Sequence, residues 1–264
     1  LNSVTDAAFN KLESVIIYDE EENDFISNSL LPNSFYSKKV TTYLELIDHS
    51  GAEIDHSQPN AGCNIFTTSG TTKAPKFVLH SHRSISIHAA EVWRNLEPLI
   101  KSNAFFHTLP FCGVFGFNHF SAALSGARPN VIQSAFNARG AIDLIDRHKV
   151  HYISATDDML LALLEADDRN PALPSLTCCG YGAFNLPPEE ITLRASARGI
   201  KLVGLYGMSE VQALFARQEH TQEDKHRYLP GGKLISPNAR VRARNPESKE
   251  ILPHGESGEL EFKG

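Results

Sequence analysis

The sequence predicts an α/β protein: a mainly parallel sheet flanked by helices, with a β-rich C-terminal segment. Three observations carry that expectation. Between residues 63 and 211, short apolar runs alternate with segments of helical period, the signature of repeated β-α-β units. Those runs are apolar along their length, which marks strands covered on both faces. After Gln212 the helical pattern gives way to short strands and turns. At 264 residues, with 41% hydrophobic and 21% charged side chains, the chain can bury a substantial core.

The elements follow in order. Val15-Ile16-Ile17-Tyr18 reads as a short buried strand, and residues 19–24 as an acidic, solvated loop. Residues 41–47 are expected to form a short helix, and 50–62 a linker. Strands at 64–67 and 77–79 flank a polar loop. A helix is expected over 84–100, where Ile87, Val92, Leu96 and Leu99 form an apolar stripe. Next come a strand at 104–109, a helix at 115–124 and a strand at 130–133. The helix at 138–148 should turn Ile142, Leu144 and Ile145 inward, ahead of a strand at 150–154. Thr156 can cap a helix over 157–166, whose first turn carries acids where they favour the helix dipole. A strand at 176–180 precedes a helix started by Pro187 and ended at Gly199, and 201–205 is another strand. Residues 240–244 and 259–263 read as strands. The expected domain divisions are 1–62, an N-terminal part; 63–211, the α/β core; and 212–264, the β-rich segment.

Bulk properties exclude some functions. A net charge of −6 without a basic stripe argues against a nucleic-acid partner. Cysteines 63, 112, 178 and 179 have neither disulfide-framework nor zinc spacing, so reduced thiols and a cytoplasmic location are expected. No secretory signal and no run of about 20 apolar residues appears, so no membrane span is expected.

The chemistry-bearing stretch is Thr67-Thr68-Ser69-Gly70-Thr71-Thr72-Lys73-Ala74-Pro75-Lys76. Small hydroxylated residues let backbone N–H groups approach an anion, and each hydroxyl adds a donor. Gly70 supplies a tight turn and Lys76 a compact positive charge. Taken alone, the loop is either a phosphate cradle or a solvated Ser/Thr turn. It lacks the second glycine and the GK[ST] ending of the common nucleotide loop. In a parallel sheet, ligands sit beyond the carboxyl ends of the strands. Segments 67–76, 180–185 and 206–210 each begin at such an end, so they are expected to converge.

Downstream stand Phe77-Val78-Leu79-His80-Ser81-His82-Arg83-Ser84-Ile85 and Gly204-Leu205-Tyr206-Gly207-Met208-Ser209-Glu210. Together with the loop, they resemble the adenylate-forming superfamily of acyl- and aryl-CoA ligases, luciferases and peptide-synthetase adenylation domains. That family carries T-S-G-T-T-G-x-P-K-G-V, a T-H-R-like step into a helix, and Y-G-x-T-E. The resemblance implies ATP-dependent activation of a carboxylic acid to an acyl-adenylate with pyrophosphate release, then transfer to CoA. ATP, Mg²⁺, CoA and a small carboxylic acid are the implied partners. It assigns Thr68, Ser69, Gly70, Thr71 and Thr72 to the β- and γ-phosphates, with Lys76 offsetting charge. Tyr206 would offer a face to adenine, Gly207 its backbone, and Ser209 a hydroxyl to the α-phosphate. Glu210 would hold Mg²⁺ with Thr71, the metal preferring oxygen ligands and substrate phosphates. Gly182 and Ala183, with Tyr181, resemble the family's G-G-A-like segment beside adenine and the acyl pocket. The alternative there is an ordinary glycine turn after a strand. His82 would orient the loop or touch substrate, or simply start the helix. His80, His82 and His88 lack an accompanying acidic or thiol ligand, so they do not read as a metal set.

Some positions depart from the family pattern. Lys73 stands where glycine is usual; a positive φ there would cost about 1–2 kcal/mol, or else the lysine adds charge over the phosphates. Phe77 and Asp157 replace a glycine and a proline. In Leu109-Pro110-Phe111-Cys112-Gly113-Val114-Phe115-Gly116, Cys112 and Gly113 replace a phenylalanine–histidine pair near the carboxylate site. That stretch has no acid to pair with an α-amino group, so a fatty or aryl acid is expected rather than an amino acid; Met208 also suits acyl-CoA ligases. In the family, a ribose-binding aspartate, a hinge and a small domain with the catalytic lysine follow the equivalent of Gly264. The chain therefore reads as a truncated part of the adenylate-forming N-terminal domain, expected to bind ATP weakly or not at all and not to complete adenylation alone. The competing hypothesis is a non-catalytic relative serving as a binding module, supported by Lys73, Cys112 and Gly113.

Overall fold

Continuous apolar strands need cover on both faces, and the central sheet has it. The computed structural model describes residues 14–17, 34–35, 38–42, 45, 48, 50–51, 57–68, 75–100 and 104–264. The chain divides into two units, 1–57 and 58–264.

In the first unit, β1 (Ser14–Ile17) runs parallel to β3 (Lys38–Thr42), which pairs antiparallel with β2 (Ser34–Phe35). The helix expected from residue 41 does not begin there. Val40, Thr41 and Thr42 are β-branched, and the run they end is extended. Tyr18 and the acidic loop 19–24 lie outside the described residues.

The second unit opens with an antiparallel hairpin, β4 (Gly62–Thr67) and β5 (Phe77–Ser81). It continues into α1 (His82–Leu96) and a 3₁₀ turn at Glu97–Leu99. Then follow β6 (Phe105–His107), α2 (Val114–Ser125), β7 (Asn130–Ile132) and α3 (Ala138–His148). After these come β8 (Tyr152–Thr156), α4 (Asp157–Ala166), β9 (Cys178–Gly182), α5 (Pro188–Ala197) and β10 (Leu202–Tyr206). The last stretch holds β11 (Ala216–Arg217), a short α6 (Asp224–Arg227), β12 (Lys233–Leu234), β13 (Arg240–Arg244) and β14 (Glu259–Lys263).

The main sheet has the order β12-β11-β10-β9-β8. Strands β8, β9 and β10 are parallel, and β11 and β12 add an antiparallel edge. β6 and β7 form a parallel pair, tied to the sheet where Thr108 donates its hydroxyl to Ser154 O at 2.5 Å. The two-residue strand period sorts the core. Ile153, Cys179 and Leu202 face α3, α4 and α5, whereas Tyr152, Cys178 and Val203 face α1 and α2. The result is a helix–sheet–helix sandwich, as the apolar runs predicted. Each fully buried large aliphatic side chain in it contributes about 1.5–3 kcal/mol.

Local differences have local causes. α1 starts two residues earlier than expected because Ser81 and Ser84 form a reciprocal capping box. Its inward stripe is Val92, Trp93 and Leu96, while Ile87 is 52% exposed. β8 and β9 sit about two residues later than expected, so Gly180 lies inside β9 rather than at its end. A side chain there would collide with the Tyr152 hydroxyl, 2.1 Å from an added Cβ. β13 and β14 pair over their full expected lengths, with Arg242 and Arg244 on Glu261 at 2.5 and 2.7 Å.

Candidate active site

The parallel strands bring the carboxyl ends of β9 and β10 to one edge of the sheet, and a cleft of about 870 Å³ opens there. Its walls are the loop after β9, the turn after β10, the first residues of α2, and Thr68.

The turn after β10 is sharply folded. Gly207 is required by close approach, since an added Cβ would lie 1.3 Å from Ala213 O. Gln212 and Ala213 take left-handed φ values of 55° and 69°, returning the chain so that Phe215 N–H donates to Tyr206 O at 2.9 Å. Ser209–Val211 form a single 3₁₀ turn that carries Glu210, exposed, into the cleft wall. His80 holds this turn from behind: its Nε2–H donates to Ser209 O at 2.8 Å. Because a carbonyl only accepts, that bond assigns the His80 tautomer. The Tyr206 ring lines the cleft and lies 6.2 Å from the Phe262 ring, with planes 26° apart.

The loop after β9 brings Gly182 and Ala183 to the cleft. It is held by Asp157, which is fully buried. The Asp157 carboxylate accepts N–H bonds from Phe184, Asn185 and Leu186 at 3.0, 2.7 and 2.7 Å. Burial pulls its pKa up, but these donors and the Asp158 N–H outweigh that and leave it lowered. Tyr181 borders the cleft at only 2% exposure. Its hydroxyl donates to Tyr228 O at 2.7 Å, and burial pushes the phenol up to about 12.

The floor is braced by a chain of hydroxyls. Tyr152 O–H donates to Ser154 Oγ at 2.9 Å, Ser154 O–H to His119 Nε2 at 2.8 Å, and His119 Nδ1–H to Phe115 O at 3.0 Å. The last carbonyl fixes the direction of the whole chain, and Phe115 itself lines the cleft. Burial lowers His119 to about 4, so the ring is neutral.

At the hairpin, Thr68 N–H donates to Lys76 O at 3.0 Å and Lys76 N–H to Thr68 Oγ1 at 3.2 Å, closing the neck of the polar loop. Ser69, Gly70, Thr71, Thr72 and Lys73 lie outside the described residues. The cleft thus brings together Thr68, Tyr181, Gly182, Ala183, Tyr206, Gly207, Ser209 and Glu210. It does not bring in Lys76, which is exposed beside the hairpin neck, or His82, the first residue of α1. Cys112 is exposed and Gly113 caps α2; the next residues, Val114 and Phe115, line the cleft instead. Sequence reasoning missed Phe184, Tyr228 and the supporting role of His80. Only His80 left a signal, as the inward-facing position of an alternating strand.

Among the described residues, Glu210 is the one charged side chain in the cleft wall; the remainder is largely apolar. No group of three or more His, Cys, Asp or Glu among them could hold a metal ion by itself. A lone carboxylate suits a magnesium ion that keeps its waters and shares oxygens with a bound phosphate. No helix among the described residues is long and apolar enough to cross a membrane.

The chain is similar to many CoA ligases. It is 29% identical over 209 residues to 4-coumarate–CoA ligase-like 6 of Arabidopsis thaliana, spanning 76% of this chain and 36% of that protein. It is 27% identical over 194 residues to 2-succinylbenzoate–CoA ligase of Bacillus subtilis, spanning 70% of this chain and 39% of that one. The fold is similar to O-succinylbenzoate coenzyme A synthetase of Bacillus subtilis solved with ATP and magnesium ion. The TM-score is 0.76 at 20% identity, covering 98% of this chain and 52% of that one. ATP-bound MatB from Rhodopseudomonas palustris gives 0.73 at 20% identity, with the same coverage of 98% and 52%. The chain therefore spans well under two thirds of the length of these relatives. The model of the AMP-binding enzyme family matches residues 4–264, and the chain belongs to that family.

Proposed function

We propose that the whole protein activates a fatty or aryl carboxylic acid with ATP and passes the acyl group to CoA. The observation that carries this reading is the convergence of Thr68, Ala183, Tyr206, Ser209 and Glu210 on one cleft from three separate segments. In the first step a carboxylate oxygen bonds to the α-phosphorus of ATP, and the bond to pyrophosphate breaks. In the second, the CoA thiol gives up its proton to solvent, its sulfur bonds to the acyl carbon, and AMP leaves with the electron pair of the broken C–O bond. Both reactants of the first step are anions, so charge must be offset and the two held in line.

Tyr206 is suited to stack on adenine, with Phe262 behind it, and Ser209 to donate to the α-phosphate. Glu210 fits a magnesium ion carried in with the nucleotide, which would neutralise phosphate charge. Ser69, Gly70, Thr71 and Thr72, with Lys76, are proposed for the β- and γ-phosphates. A missing donor at such a site costs about 2.7–4 kcal/mol of transition-state stabilisation. Phe115, Ala183 and Leu186 give the acid an apolar wall with no cation for a second carboxylate among the described lining residues.

The test is pyrophosphate release by the full-length protein with ATP, Mg²⁺ and a panel of carboxylic acids. Release with an apolar acid is expected. A binding module without catalysis is the second reading, favoured by Lys76 lying outside the cleft wall. Nucleotide binding without release on any acid would select it.

A further inference from the structure

Asp157 occupies the first position of α4, yet it is not the cap of that helix. Thr156 fills that role, its hydroxyl accepting the Met159 N–H at 3.3 Å. The Asp157 carboxylate turns to the neighbouring loop instead. One oxygen, Oδ2, accepts three consecutive backbone N–H groups, from Phe184, Asn185 and Leu186. The other, Oδ1, accepts Asp158 N–H at 3.1 Å. Three successive N–H groups meet at one anion only when the backbone is wound into a concave nest. Here the chain's own carboxylate fills the nest. Asn185 Nδ2 adds a second tie, donating to Asp158 Oδ2.

Each side of this arrangement needs the other. A carboxylate with no exposed surface requires several donors, and three N–H groups gathered against it would be left unsatisfied if it were removed. The loop so held lines the cleft from Ala183 to Leu186. It has no regular structure of its own, and its shape is imposed from behind by α4.

We propose that Asp157 is a positioning residue, which sets the backbone at 183–186 so that the cleft is formed before its nucleotide arrives. The nucleotide part rests on the adenylation reading above. Asp157 would touch neither substrate nor metal; it acts through the loop.

Hydrogen–deuterium exchange of the 264-residue chain reads the loop without any substrate. In Asp157→Ala, exchange at 184–186 should rise at least about tenfold while β8 and β10 stay protected. Asp157→Asn keeps an acceptor oxygen without the charge, so about a threefold rise is expected; this variant carries the test if the alanine protein does not fold. In the full-length enzyme, Asp157→Ala should raise KM for ATP about tenfold and lower kcat by less than about threefold, with asparagine recovering most of the loss. Unchanged exchange at 184–186 overturns the proposal. So does raised exchange with an unaltered KM for ATP in an active enzyme. A wild-type protein inactive on every acid counts against the adenylation reading, and the exchange result still decides whether Asp157 sets the loop.

Discussion

Gly180 and Tyr152 should be coupled, and the structure supplies the size of the effect. In Gly180→Ala the new Cβ would lie 2.1 Å from the Tyr152 oxygen, and 3.1 Å from both Tyr152 Cζ and Ser154 Oγ. Tyr152 is 1% exposed and its hydroxyl is engaged with Ser154, so the ring cannot swing aside freely. Overfilling of this kind costs about 1–3 kcal/mol. Tyr152→Phe removes the obstructing oxygen at the cost of one hydrogen bond, about 1 kcal/mol. Ser154 is not orphaned by that change, because its hydroxyl still donates to His119 Nε2. In the double variant the closest contacts relax to 3.1 Å, tight but tolerable. It should therefore be about 1–2 kcal/mol more stable than the sum of the single changes. Urea unfolding of the four proteins measures this directly. Additivity within about 0.5 kcal/mol would refute the packing argument, and with it the reason given for a glycine inside β9.

Other outcomes follow from the same geometry. Burial holds His88 and His119 at about 4, against an ordinary 6.5, despite backbone acceptors at Leu214 and Phe115 that pull the other way. The unfolded chain takes up these protons first, so their contribution is intact above pH 6.5 and is lost as pH falls toward 4. The loss approaches about 3 kcal/mol for each ring, and urea titrations at pH 7 and pH 4.5 should differ less in His119→Gln than in wild type. Gly207→Ala should displace the turn bearing Ser209 and Glu210, because its Cβ would overlap Ala213 O. Far-ultraviolet circular dichroism should stay close to wild type while pyrophosphate release by the full-length protein falls at least about a hundredfold; retained activity would remove that turn from the site.

How far the sequence spoke depends on where each structure gets its cause. β8 to β10 were legible because strands covered on both faces must be apolar throughout, and α3, α4, β13 and β14 were legible to the residue. Ends of strands were less so: hydrophobicity marks what is buried, while the hydrogen-bond ladder decides where pairing stops. The helix expected at 41–47 is placed too early at its start: Glu45 is helical, whereas Val40, Thr41 and Thr42 extend a strand already paired with β1. Of the motif residues named from order and spacing, Thr68, Tyr181, Gly182, Ala183, Tyr206, Gly207, Ser209 and Glu210 line the cleft, whereas Lys76, His82, Cys112 and Gly113 do not. Their supports could not be named in this way. Asp157 meets residues 27 to 29 positions away, and His80 meets one 129 away, distances over which a local pattern carries no information.

Those supports have a consequence for how such a site can change. Asp157 and His80 hold two cleft walls without lining the cleft themselves, while Phe115, Phe184 and Leu186 line it. Exchanging the facing side chains leaves the anchoring bonds untouched. Under the proposed function, the choice of acid and the grip on the nucleotide are therefore separable variables, and a lineage could drift from one acid to another without rebuilding the machinery proposed to activate it.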